Sequence, residues 1–341
     1  MDKVLSIIIP TYNMEKYLRK CLDSLIVSDE NMQWLEVLVV NDGSKDSSSQ
    51  IAHEYEAKYP QTFRVIDKEN GNYGSCINRG LKEATGKYVK VLDADDYSEP
   101  STLNEYLLFL AKNDADAFIT DFEIVDSSGN VTGKRDFTRF FQKEGIVVSF
   151  PDLLANKKDV AFQMHALTYR LSMIREMGYK QTEGISYTDT EWATIPMTRV
   201  KFVCYFHDSI YRYLVGREGQ TMANYYEVAN YKDFFMIIEN ISKYYQEKPY
   251  QDIYDVYIKN KLKKVLSGIY EAGLKFHSIS EKELRSYDER LIQYPRAYKL
   301  ADNLKLSKGP INYVKYWRSD NPIRFFVCVK FLLLIKKIFA R

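Results

Sequence analysis

The chain has 341 residues, 45% of them apolar, and a formal net charge of +2. That length suits one α/β domain with an appendage, and the apolar share fills a core and excludes a disordered chain. The charge is uneven: Lys299–Arg341 carries ten Lys/Arg and two Asp/Glu, a net of +8, so residues 1–298 carry 38 basic and 44 acidic groups, a net of −6. An acidic body speaks against nucleic acid as a partner, and a basic tail speaks for contact with an anionic surface. The four cysteines (Cys21, Cys76, Cys204 and Cys328) form no CxxC and no Cys/His cluster, so neither a zinc site nor a disulfide framework is expected. A strand-like run begins at Val4, which leaves no room for a signal peptide. No run of about 20 uncharged apolar residues offers a spanning helix. A cytoplasmic protein is expected. The 28 tyrosines fit half-buried core positions, or platforms for sugar rings.

The first third alternates strand and helix. Val4–Ile9 is a β-branched apolar run, as in a parallel strand covered on both faces. Leu18, Cys21, Leu22 and Leu25 mark one helix face by their spacing. Strands follow at Leu35–Val40, Phe63–Ile66, Lys87–Leu92 and Ala117–Thr120, separated by helices at Asp46–Tyr59, Ser75–Ala84 and Pro100–Lys112. Such alternation predicts an α/β fold with a doubly wound, mostly parallel sheet. Ser127–Asn130 is a turn signal within a hairpin. Further on, helices are expected near Leu153, at Ser172–Met177 and at Thr190–Thr198, and a strand at Leu167–Tyr169. Lys201–Tyr205 and Ser209–Leu214 read as two paired strands. Beyond about Glu218 the chain becomes Lys/Tyr/Leu-rich with helical periodicity over Tyr231–Tyr245, Tyr254–Lys275 and Ser280–Ile292. Three parts are therefore expected: a catalytic domain at 1–217, a helical C-terminal domain at 218–320, and a basic amphipathic tail helix at 321–341.

In an open parallel sheet, ligands gather beyond the carboxyl ends of the strands. After the first strand stands Pro10-Thr11-Tyr12-Asn13. It lacks the glycines of a dinucleotide fingerprint, and it lacks the Gly-rich basic loop of a sugar-phosphate nucleotidyltransferase. Tyr12 can lie against a flat base; Asn13 can cap the next helix. After the second strand, Asp42 of Asn41-Asp42-Gly43-Ser44 can accept from an imide N–H or a ribose hydroxyl, or simply form an Asp turn. After the fourth comes Asp93-Ala94-Asp95-Asp96. Three carboxylates in four residues repel one another. At a sheet's carboxyl edge they have the composition of a site for Mg2+ or Mn2+ bridging to diphosphate oxygens.

Taken together, Ser6–Asn13, Val39–Ser44, Asn70–Ser75 and Lys90–Asp96 resemble the family 2 glycosyltransferases of GT-A fold, firmly over residues 3–125 and more loosely to Met222. The resemblance implies an inverting, metal-dependent transferase that moves a sugar from a nucleotide diphosphate, UDP by base rate, to a hydroxyl of a glycan or lipid-linked acceptor in surface polysaccharide synthesis. It places Tyr12 and Asp42 at the base, Pro10, Gly74 and Asp93 at the nucleotide, and Arg217 within reach of the diphosphate. Asp95 becomes the DxD-type ligand of Mn2+ or Mg2+. Glu183–Asp189 is similar to the family's acidic segment, with Thr188 in place of its first acid, so Asp189 is the candidate catalytic base. One departure is Ile77-Asn78, where many relatives carry Arg-Asn; Gly71–Ser75 can offer backbone N–H groups instead. The alternative to catalysis is a nucleotide- or carbohydrate-binding relative in which these carboxylates are dispensable. The tail after Pro322 has basic residues along one side and too few apolar positions to span. It predicts a peripheral contact with the anionic inner face of the cell membrane. A homo-oligomer is compatible with the sequence.

Overall fold

A computed structural model describes residues 2–157, 159–217, 231–247, 253–305 and 312–319. The chain divides into two compact units, Met1–Ala223 and Asn224–Arg341. The boundary expected after 217 opens onto residues 218–230. These, like the tail at 321–341, lie outside the described residues.

Unit 1 begins β1 (Leu5–Thr11), α1 (Glu15–Asp23), α2 (Asp29–Met32), β2 (Leu35–Asn41), α3 (Ser48–Lys58), β3 (Phe63–Asp67), α4 (Asn72–Glu83) and β4 (Tyr88–Val91). It continues β5 (Tyr97–Ser98), α5 (Pro100–Lys112), β6 (Ala117–Val125), β7 (Val131–Arg135), β8 (Val147–Ser149), α6 (Phe150–Asn156), β9 (Leu167–Arg170), α7 (Leu171–Glu176), α8 (Asp189–Trp192) and β10 (Phe202–Leu214). All seven residues of β1 and of β2 are buried. That is why these segments read as continuous apolar runs rather than as an alternation.

The strands form one sheet of order β3-β2-β1-β4-β9-β6-β10-β5, with β7 on β6 and β8 on β10. Pairings among β3, β2, β1 and β4 are parallel, as is β10 on β6, while β9 inserts antiparallel between β4 and β6. The alternation read from the sequence thus gives one mixed, mostly parallel α/β sheet. The turn at Ser127–Asn130 closes the β6–β7 hairpin.

Two local expectations fail. Lys201–Tyr205 and Ser209–Leu214 are not paired strands: Phe202–Leu214 is one strand lying parallel on β6, with register shifts between Phe206 and Ser209 and between Ser209 and Tyr211. The irregularity pushes His207 and Asp208 into solvent, and this polar interruption imitates a turn. Thr190–Thr198 is not one helix: α8 stops at Trp192, and a 3₁₀ turn follows at Pro196–Arg199.

Unit 2 contains α9 (Tyr231–Glu247), α10 (Asp255–Leu274), α11 (Glu281–Leu291), α12 (Pro295–Ala301) and α13 (Tyr313–Arg318). Ser280 and Glu283 form a capping box at the start of α11. Buried cations are paired: Arg296 donates to Asp255 at 2.6 Å, and Arg318 meets both Asp288, at 3.0 Å, and Asp302, at 2.8 Å. No described helix is long and apolar enough to cross a membrane.

Candidate active site

The carboxyl ends of β1, β2 and β4 carry three loops. Pro10 is buried in β1, opposite Val40 and beyond Ile8, where the β1–β4 ladder ends. Tyr12, just past the strand, is 46% exposed and so presents its ring to solvent. Asn13 does not cap α1. It adopts φ +54 and ties two loops together, donating its N–H to Ser44 Oγ at 3.0 Å and accepting from Lys45 N at 2.8 Å. An Asn tolerates that left-handed backbone.

Asp42 is almost fully buried, and both of its strong donors fall on one oxygen. Oδ1 accepts from Lys68 Nζ at 2.5 Å and from Gly71 N at 3.0 Å. Lys68 follows β3 directly, and its backbone N–H bonds Asn41 O at 3.0 Å, which aligns the two strand ends. Its ammonium also donates to Ser75 Oγ at 2.9 Å and to Glu69 O at 2.5 Å. Beside this pair the buried Cys76 thiol is pushed up to about 12, by burial first and then by the charge of Asp42. Ile77, at the position of the expected arginine, is fully buried, and Arg79 pairs with Glu83 at 3.1 Å. The helix α4 thus brings no cation to Asp42; the β3–α4 loop does. Lys68 was not singled out from sequence, because nothing in the periodicity marks a lysine one residue past a strand.

The acidic cluster is built differently at each position. The half-buried Asp93 accepts from the Tyr73 hydroxyl at 2.7 Å, and its backbone N–H meets the Tyr211 oxygen at 3.2 Å. Its carboxyl is pushed up to about 7 by burial and by the neighbouring charge of Asp95, with Asp189 adding to the effect. Asp96 is an anchor. Its two oxygens are taken by the Tyr211 hydroxyl at 2.6 Å and Leu214 N at 2.7 Å, and burial holds its carboxyl well above the usual range. Asp95 pairs with Arg217, both side chains being about a tenth exposed, and the guanidinium lies 5.4 Å from the Tyr17 ring centre. Gly216, at φ +82, gives the chain the left-handed step that precedes Arg217.

Ligand atoms of Asp93, Asp96 and His165 lie within 4.8 Å of one another. Since both oxygens of Asp96 are already committed, the groups here suited to a hard divalent cation are Asp93 and Asp95. A positive charge already rests against Asp95, that of Arg217, so the residues fit such an ion. His165 packs its ring 4.5 Å from that of Tyr213 and 4.8 Å from that of Tyr211. Beneath it Lys90 is buried in β4. It donates to the carbonyls of His165, at 2.6 Å, and Leu167, at 3.3 Å, and burial pushes its ammonium down to about 7.

Asp189 opens α8 behind a segment tied down from several sides. Asn78 accepts from Gln181 N and donates to Glu183 Oε1, each at 2.8 Å; Glu191, buried, accepts from Thr182 N at 3.0 Å and Thr182 Oγ1 at 2.9 Å. Gly184 N reaches Gly71 O at 3.1 Å. The charge of Asp189 raises the carboxyl of Asp93 and the hydroxyls of Tyr73 and Tyr213, so α8 begins near the acidic cluster. Gly74 is a second point at which α4 touches this segment: a Cβ there would lie 1.8 Å from Thr182 O. The first turn of α4 thus touches both groups, Asp93 through Tyr73 and the Asp42–Lys68 pair through Ser75.

A sequence model of the family described as Glycosyl transferase family 2 matches residues 6–177. The glycosyltransferase MG025 of Mycoplasma genitalium is 30% identical over 229 residues, which cover 66% of this chain and 72% of that protein. The glycosyltransferase YibD of Escherichia coli (strain K12) is 28% identical over 255 residues, 72% of each chain. Among solved structures, S. aureus TarS 1-349 in complex with UDP-GlcNAc aligns with a TM-score of 0.72 at 22% identity, covering 94% of this chain and 89% of that one. That last likeness is one of fold.

Proposed function

Given that the chain belongs to glycosyl transferase family 2, we propose that it transfers a sugar from a nucleotide diphosphate sugar to a hydroxyl of a glycan or lipid-linked acceptor, inverting the anomeric centre. The observation that carries this reading is the meeting of Asp93, Asp95, Arg217 and Asp189 at the carboxyl edge of the sheet. UDP is the proposed nucleotide, in keeping with the donor held by the TarS structure. Tyr12 would cover the base and Asp42 would accept its N–H. Arg217 would move from Asp95 to the diphosphate as negative charge develops there. Asp95, with Asp93 beside it, would hold Mn2+ or Mg2+, which when bound neutralises the departing diphosphate.

Asp189 would take the proton of the acceptor hydroxyl. It works beside carboxylates that disfavour further negative charge, so proton uptake relieves repulsion. Attack from the face opposite the diphosphate requires no covalent sugar–protein step. The basic tail would hold the molecule on anionic membrane at the lipid-linked acceptor; its net charge of +5 over 321–341, within the +8 of 299–341, supports this.

Hydrolysis of a panel of UDP-, dTDP- and GDP-sugars, with Mn2+ and with chelator, tests the reading. Metal-dependent turnover of at least one donor, lost in Asp95→Asn, is expected. Turnover equal in chelator, or unaffected by Asp95→Asn, would remove the metal assignment; no turnover of any donor in the presence of acceptor extracts would favour the binding-protein alternative.

A further inference from the structure

Asp42 carries a nearly buried negative charge in the proposed base pocket, and among the described residues Lys68 is the cation that stands against it. The three N–H donors of the Lys68 ammonium go to Asp42 Oδ1, Ser75 Oγ and Glu69 O. With every donor committed, Lys68 has none to give a ligand. What it can do is fix the carboxylate. Lys68 Nζ and Gly71 N both bond Oδ1, which turns the plane of the carboxylate and leaves neither N–H on Oδ2. Lys68 is itself tied at both ends, by its backbone N–H to Asn41 O and by its ammonium to Ser75 on α4. It is not a long surface side chain that chanced on a partner: the Lys68 and Asp42 side chains are 18% and 4% exposed. A pair this sheltered keeps its geometry better than an exposed one.

We infer that Lys68 is the positioning residue of the nucleobase pocket: it commits one oxygen of Asp42 so that the other accepts an imide N–H of the base. This rests on the assignment of Asp42 to the base. The chemical consequence is selectivity. A locked, acceptor-only oxygen welcomes a ring N–H and rejects the same ring once that nitrogen is methylated, because the buried acceptor is then left unpaired. Without the ammonium, the carboxylate is free to turn, and the distinction is lost.

Calorimetric titration of the full chain with uridine and with 3-methyluridine reads this directly. Neither probe carries a phosphate, so metal and diphosphate contacts drop out. The unaltered protein should prefer uridine by at least about tenfold, the size of one hydrogen bond to a charged group. Lys68→Met should reduce that ratio to near one, and Lys68→Arg should restore part of it. In Asp42→Asn the ratio should also collapse, and adding Lys68→Met to it should change nothing further. Should Lys68→Met not fold, Lys68→Gln, which keeps a polar group near Ser75 but no charge, carries the same expectation. An undiminished ratio in a folded Lys68 variant, with the ratio lost in Asp42→Asn, would overturn the role given to Lys68 alone. An undiminished ratio in Asp42→Asn would remove the base assignment beneath it.

Discussion

Replacing Arg217 with Gln should tighten Mn2+ binding to the nucleotide-free protein while weakening binding of UDP. The opposite signs follow from one contact. Arg217 rests against Asp95, with both side chains about a tenth exposed. Two unit charges ~4 Å apart attract by ~4 kcal/mol at an effective dielectric of ~20, and desolvation of the pair cancels much of that. A residue of about 1.4 kcal/mol, a factor of ten in binding, is what Mn2+ must overcome to take Asp95 from the guanidinium. Gln removes the competitor and keeps most of the stem, so Mn2+ should bind ~10-fold tighter. For UDP with Mn2+ present, the variant loses a charged hydrogen bond, about 1.5–3 kcal/mol, and affinity should fall ~10- to 100-fold. The free-Mn2+ electron paramagnetic resonance signal gives the first number and calorimetry the second. Unchanged or weaker Mn2+ binding in a folded variant would show that Arg217 does not compete at Asp95. Unchanged UDP binding would show that it does not reach the diphosphate.

Asp189→Asn keeps the shape of α8 and removes a base, so transfer should drop ~10²- to 10⁴-fold with donor affinity near normal; a fall of less than about tenfold in the coupled UDP-release assay would place the base elsewhere. Lys90 bears on stability against pH. Burial pushes its ammonium down to about 7, against 10.5 for an ordinary lysine, so between those values the unfolded chain binds more protons and stability should climb with pH. In Lys90→Met the climb from pH 7 to 9 should flatten in urea titrations; an identical slope in the two proteins would mean that Lys90 does not titrate in this range. Deleting Ile323–Arg341 should abolish sedimentation with anionic liposomes and spare donor hydrolysis and the thermal transition. If hydrolysis is lost with the tail, the segment belongs to the catalytic unit.

The sheet is legible because burial on both faces writes itself as mainly apolar runs at β1 and β2, and because the strand ends carry their chemistry in loops of fixed order. Residues whose work depends on neighbours distant in sequence were less visible. Asp96 looks like its neighbours Asp93 and Asp95, yet its partners Tyr211 and Leu214 stand more than a hundred residues away and make it an anchor. Lys68 carries no signal until β3 is laid beside β2. The bulged β10 reads in sequence as two strands, since an irregularity that exposes His207 and Asp208 has the polarity of a turn.

The first turn of α4 sets a limit on how this chain can change length. Tyr73 meets Asp93, Gly74 presses on the Thr182 carbonyl, and Ser75 holds Lys68 against Asp42. Three consecutive residues thus face three different neighbours, about 100° apart around the helix axis. A point substitution there disturbs one contact. Insertion or loss of one residue between Asp67 and Asn72 would rotate the turn by a full step and misdirect all three together. The β3–α4 connection is therefore bound to its length more strictly than to its composition.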